Sequence, residues 1–188
     1  SSSAPFGVTV TTTGGDSETI TVTEDPAGSG VFGGSIGTGL GAVVAEDGSL
    51  NVSDGETATV TYNDASDGTG SPAVLQDTAL IDCTSPLVSG VAAAPINDSA
   101  ASILFDTDEP SSVRVLYGTS CAALLQSSDG TGISTSHDVE LSGLQSATQY
   151  FYAIEATDQS ENLTTDDNGG ACYSFTTDDQ ADYFTENF

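Results

Sequence analysis

Apolar residues recur at every second position along much of this chain. Phe6-Gly7-Val8-Thr9-Val10 alternates in this way, and so does Thr19-Ile20-Thr21-Val22-Thr23. A period of two puts alternate side chains on opposite faces of an extended strand. Gly-, Asp- and Ser-rich turns separate the runs, and no long stretch carries the 3.6-residue period of an amphipathic helix. Asp25 to Gly30 reads as a hairpin turn leading into Val31-Phe32. Leu50-Asn51-Val52 precedes a tight Asp54-Gly55 turn, and Thr57 to Tyr62 follows it. A turn-rich insert, Asn63 to Pro72, leads to Ala73-Val74-Leu75 and Thr78-Ala79-Leu80-Ile81. Several short strands at this spacing have the rhythm of a β-sandwich.

Cys83-Thr84-Ser85-Pro86 interrupts the pattern, because proline cannot donate to a sheet ladder. A second set of strands is predicted beyond it: 87–91, 102–105, 112–117, 122–125, 137–141, 149–157 and 172–177. The pattern therefore predicts an all-β chain of two tandem β-sandwich domains. They span residues 1–83 and 84–177, with an aromatic tail over 178–188.

Composition raises the rival reading of disorder. Only 37% of the residues are apolar, and the formal net charge is −27 over 188 residues. Low hydrophobicity with high charge is the signature of chains that do not fold. The alternation decides for order, since disordered chains have no reason to place Val, Ile and Tyr at alternate positions.

Charge narrows the function. Arg114 is the single Lys or Arg facing 28 carboxylates. Such a surface repels phosphates and anionic headgroups, which excludes nucleic acid as a partner. It also lacks the cations that stabilise phosphoryl transfer. Self-repulsion on this scale suits a saline or calcium-rich medium, which screens it. No run approaches the roughly 18 apolar residues of a membrane-spanning helix. With no signal peptide and no Met, the sequence reads as a processed mature chain or a piece of a longer one.

Residues 86–177 resemble a fibronectin type III domain. Asp106 to Gly118 resembles the B–C turn and C strand of secreted bacterial members. Leu141-Ser142-Gly143-Leu144-Gln145-Ser146-Ala147-Thr148-Gln149-Tyr150 resembles the E–F corner, and Ala156 to Asn162 the end of strand F with its loop. The resemblance implies that the Tyr150 hydroxyl bonds back to upstream backbone. Two positions depart from the family: Phe105 stands for the B-strand Trp, and Ala147 for the corner Pro. Residues 6–82 more weakly resemble an Ig-like repeat of large secreted bacterial proteins, through Gly15 to Glu24 and Gly30 to Ile36. Neither resemblance supplies active residues, because these folds host many functions.

The fibronectin-like topology brings the start of its first strand and the start of its last strand to one end. It thereby implies a Cys83–Cys172 disulfide, with Cys121–Cys172 as the alternative. It also places Asp106, Asp108 and Glu109 at the same end as Asp166, Asp167 and Asn168. Calcium is the best small-ligand candidate, because a hard cation takes several oxygens from one loop. The candidate ligands are Asp64 and Asp67 in the insert, then Asp106, Asp108 and Glu109. No stretch has the twelve-residue EF-hand spacing, and one His without a C-x-x-C pair gives no zinc signature.

Catalysis finds little support. His137 is the only histidine, and its alternating run predicts a solvent-facing strand position. Arg114 is expected to pair with a nearby carboxylate. Asn51, Asn97 and Asn162 head glycosylation sequons, which arise readily by chance in so Ser/Thr-rich a chain. The tail carries Tyr183, Phe184 and Phe188, whose exposure would cost ~1.5–3 kcal/mol each. A docking role on a neighbouring subunit is expected for them.

These observations lead to a non-enzymatic structural module outside a bacterial or archaeal cell. It would be a subunit or repeat of a surface fibre, pilus-like filament or adhesin, assembling through strand edges and terminal segments. Its partners would be copies of itself or neighbouring domains of the same polypeptide. The alternative is an accessory, spacer or polysaccharide-binding region of a secreted hydrolase.

Overall fold

The computed structural model describes residues 4–65 and 70–180. The chain divides into two compact units, Ser1–Cys83 and Thr84–Phe188. Every regular element among the described residues is a strand, as the alternation predicts.

The first unit holds β1 (Phe6–Thr12), β2 (Ser17–Glu24), β3 (Phe32–Gly33), β4 (Gly37–Gly39), β5 (Ser49–Asn51), β6 (Thr57–Asp64) and β7 (Ala73–Leu80). Five of them form one antiparallel sheet in the order β3-β2-β1-β6-β7. The register fixes which side chains share a face. Val8 stands opposite Ile20, Val10 opposite both Glu18 and Val60, and Tyr62 opposite Leu75. With a period of two, Phe6, Val8, Val10, Ile20, Val22, Val60, Tyr62 and Leu75 all project from one side. The separate β4–β5 parallel pair covers part of it. Leu50 and Val52 are buried against Val10, with Ile20, Ile36, Ala58 and Ile81 packed around them. That small cluster serves only the Val10 end of the face.

The second unit contains β8 (Val88–Ile96), β9 (Ala100–Gly118), β10 (Gln126–Asp129), β11 (Ser134–Ser142), β12 (Gln149–Thr157), β13 (Leu163–Asp166) and β14 (Tyr173–Thr176). The long β9 joins two sheets. Its first half pairs with β8 and β11, and its second half with β10 and β12. The free side of β12 takes β13 and then β14. Odd positions of β9 point inward throughout: Ala101, Ile103, Phe105, Val113, Val115 and Tyr117 are all buried. They meet Val139 and Leu141 of β11, Tyr150, Tyr152 and Ile154 of β12, and Phe175 of β14 in one continuous core.

Three sequence expectations are revised here. The runs 102–105 and 112–117 are one strand, as are 73–75 and 78–80. The run 122–125 is not a strand, and Leu125 is 88% exposed. That segment turns back over Gly118, where a Cβ would sit 2.6 Å from the Ala123 carbonyl oxygen. The neighbouring strand is β10 instead.

Candidate functional site

The two units differ sharply in how well they bury their apolar side chains. In the second, exposed large hydrophobics are scattered singly, as on any soluble surface. In the first, the part of the sheet that β4 and β5 leave open is lined by apolar side chains, and Val60 and Leu75 on this face are 36% and 58% exposed. Phe6 packs against Phe32 and Tyr62 with ring centroids 4.8 Å away in each case. With Val8, Ile20 and Val22, these rings line an open groove of about 380 Å³. Gly34 closes one wall. A Cβ there would lie 3.0 Å from both the Thr21 carbonyl oxygen and Val22 Cγ1, so only glycine lets the chain come this close.

The open face runs out to β7, the edge strand of the sheet. β7 pairs with β6 over all eight residues without a bulge, and it contains no proline or lysine. Val74, Leu75 and Leu80 are 63%, 58% and 73% exposed. Its backbone alternates between its two sides. Ile81 N–H, just beyond the strand, donates to the Glu56 carbonyl on the β6 side. Thr78 N–H instead donates to the Asp77 carboxylate at 2.9 Å. Val74, Gln76, Thr78 and Leu80 therefore present their backbone groups to the open edge. Such an edge is a template for pairing with another strand unless something guards it. Asp77 is the only ionisable side chain on β7, and it lies beside Val10, Ala58 and Val60.

Two buried carboxylates hold the partial cover in place. Glu18 and Asp16 are 2% and 1% exposed. Glu18 accepts the backbone N–H groups of Asp47 and Gly48, both at 3.0 Å. Asp16 accepts from Ser17 N–H at 2.8 Å and Asn51 N–H at 2.6 Å. Sequence reading missed both residues. The signal was present, because Glu18 lies in phase with the inward-facing Ile20 and Val22.

The structure joins Cys121 to Cys172, with Cα atoms 5.8 Å apart, and leaves Cys83 as an exposed free thiol. The first-choice pairing Cys83–Cys172 is thus replaced by the alternative. Register gives the reason. Tyr152 stands opposite Tyr117 on one side and Tyr173 on the other, so the end of β9 and the start of β14 lie at one level of the sheet, and the segment after β9 folds back over Gly118 to reach it.

The same register separates two of the acidic clusters. Thr157 pairs with Ser112 at one end of β12, so Asp106, Asp108 and Glu109 lie towards that end. Asp166 pairs with Ile154 near the middle of β12, and Asp167 and Asn168 follow it away from the Ser112 end, beside Cys172. Asp106 and Asp108 are exposed strand residues, and the Asp108 carboxylate accepts Leu87 N–H at 2.7 Å. Glu109 approaches Asp158 within 4.8 Å. Asp158 already accepts from Ser160 N–H, Asn162 N–H and the Asn162 side-chain amide at 2.8–2.9 Å. Burial pushes its pKa up, but these donors outweigh that and hold the carboxyl below the usual range. Asp64 ends β6 opposite Ala73. Asp67, Tyr183, Phe184 and Phe188 lie outside the described residues.

His137 departs from expectation. It is 8% exposed, stacked on Phe105 at 5.0 Å, with Nε2 3.0 Å from Thr107 Oγ1. Burial lowers its pKa, and a nearby Asp106 charge opposes that only in part. The ring fills the core position two residues before Val139. Arg114 pairs with Asp129 at 2.6 Å on an exposed face. Of the sequon asparagines, Asn51 is buried, and the Asn162 amide is committed to Asp158. The Tyr150 hydroxyl accepts Gln145 N–H at 3.0 Å, as the corner reading implies.

No protein-family model matches this chain, and no curated protein matches it.

Proposed function

We propose that this chain is an extracellular structural module, a subunit or repeat of a surface fibre, pilus-like filament or adhesin. It assembles through strand edges and terminal segments, and its role is mechanical rather than catalytic. The two units are read as an Ig-like β-sandwich followed by a fibronectin type III-like one. The hydrogen bond of Tyr150 and the pairing of β9 with β8, β11, β10 and β12 support the second assignment.

The observation that carries the functional reading is the first unit's sheet. Stable domains pack two layers around one core. Here the second layer covers only the Val10 end, and the remaining face continues to the eight-residue edge strand β7, where Leu75 is exposed on that face and Val74 and Leu80 on the other. The disulfide fits an oxidising, extracellular setting. Among the described residues no helix is long and apolar enough to cross a membrane.

Sedimentation velocity and negative-stain imaging at high salt test the proposal, since salt screens the mutual repulsion of two highly acidic copies. Concentration-dependent oligomers or fibres are expected. A compact monomer at every concentration would contradict it.

One observation favours the alternative reading as a polysaccharide-binding accessory region. The groove is floored by three aromatic rings, Phe6, Phe32 and Tyr62. Polysaccharide binding abolished by Tyr62→Ala, in a chain that stays monomeric, would select it.

A further inference from the structure

We propose that β7 pairs antiparallel with β7 of a second copy about a two-fold axis through Asp77, in a contact that forms when the two facing carboxylates share a proton. The inference rests on the assembly reading and names the edge, the occupant and the switch.

The choice of a second copy comes from the strand itself. Around Asp77 the polarity of β7 is palindromic: Gln76 and Thr78 are polar, Leu75 and Ala79 apolar, Val74 and Leu80 apolar. Antiparallel pairing centred on Asp77 therefore sets Val74 against Leu80, Leu75 against Ala79 and Gln76 against Thr78. A closed two-fold dimer needs this self-complementarity.

The backbone phase agrees with the side-chain phase. In an antiparallel pair, residues exchanging hydrogen bonds alternate with residues that do not. Even-numbered residues of β7 have their N–H groups on the open side, as Thr78 shows, while odd-numbered ones face β6. About a two-fold at Asp77, the even-numbered pairs exchange the hydrogen bonds. Asp77 then falls in a non-hydrogen-bonded pair, where side chains come closest. Like charges directly opposite one another are destabilising. The Asp77 carboxylate must also release Thr78 N–H before Thr78 can bond to the second copy. One residue thus guards the edge in two ways.

A shared proton removes the guard. Two carboxylates forced into contact cannot both ionise readily, so the pair takes up a proton as it forms. The groups packed around Asp77 do not offer an alternative switch. Val10, Ala58, Val60 and Ala79 have no ionisable side chain, and the diagonal neighbour Tyr62 brings no carboxylate or cation. From the second copy, Asp77 meets Asp77 with Leu75 and Ala79 on either side. Dimer affinity then rises as pH falls, by up to about tenfold per pH unit for one proton bound per dimer.

Sedimentation velocity between neutral pH and mild acid, above the isoelectric point of about 4.1, tests this with a chelator present. Wild-type chain is expected to dimerise increasingly as pH falls. Asp77→Asn removes the charge and leaves a weaker acceptor for Thr78 N–H, so it should dimerise at neutral pH and lose the pH dependence. Asp138→Asn removes the same charge from an exposed strand position elsewhere and should leave the wild-type profile unchanged. Gln76→Pro removes an N–H that β6 does not use, a change edge strands tolerate. It should abolish the dimer with an unchanged circular dichroism spectrum. Assemblies indifferent to Asp77→Asn and Gln76→Pro would overturn the β7 pairing and leave the assembly reading standing. Monomers under every condition, in wild type and Asp77→Asn alike, would overturn both.

Discussion

Glu18 accepts the backbone N–H of Gly48 at 3.0 Å from a position on β2 that is 2% exposed. Its other carboxylate oxygen takes the N–H of Asp47. The residue thus stitches the loop before β5 to the sheet, and with it the Leu50–Val52 cover over Val10. Glu18→Ala leaves both donors without their acceptor, and each unsatisfied buried group costs about 1–3 kcal/mol. Partial access of water to the loop reduces the sum. We expect urea unfolding to show the first unit destabilised by about 2–3 kcal/mol in total. Glu18→Gln retains one accepting oxygen and should lose roughly half as much. An unchanged midpoint in both variants would contradict this role.

The Cys121–Cys172 bond spans 51 residues of sequence. In the chain-entropy model a loop of this size contributes roughly 4 kcal/mol. Replacing both cysteines with Ala should lower the unfolding midpoint of the second unit accordingly. Under non-reducing conditions a thiol reagent should titrate one group per native chain, and Cys83→Ser should abolish that signal.

His137 gives stability a defined pH dependence. Its folded-state pKa lies below the unfolded value, because burial against Phe105 disfavours the charged ring. The unfolded chain therefore binds the proton more readily. Stability is unaffected well above about pH 6.5 and falls as pH drops below it. His137→Gln should flatten this limb of the curve in urea titrations. Carboxylates such as Asp158, whose folded pKa is depressed, lose their contribution at lower pH. The two effects separate by window, and a wild-type profile flat between neutral pH and mild acid would contradict the His137 assignment.

The all-β character was legible because alternation of Val, Ile and Tyr with Thr and Ser survives in nearly every strand. Continuity was less so. Pro110 and the acidic run around it hide the unbroken course of β9, and Gln76-Asp77 hides that of β7. Periodicity also could not tell the inward Ile20 from an inward Glu18, since a buried carboxylate depends on donors nearly thirty residues away. The corner at Ala147 is instructive. Its φ of +47° and its N–H bond to the Asp178 carbonyl exclude the proline that fibronectin-like corners carry, so this turn requires a residue other than proline there. The open groove was illegible for a different reason. Sequence shows which residues face inward but not whether another layer covers them.

Hydrogen exchange along β7 tests most directly whether the open edge of the first unit is an assembly surface. The amides of Leu75, Asp77 and Ala79 face β6 and should be protected at all concentrations. Those of Val74, Gln76, Thr78 and Leu80 face outward and should exchange fast in dilute solution, then become protected as concentration rises under assembling conditions. Fast exchange of the four outward amides at every concentration, in particles that nevertheless assemble, would place the contact elsewhere and contradict the account.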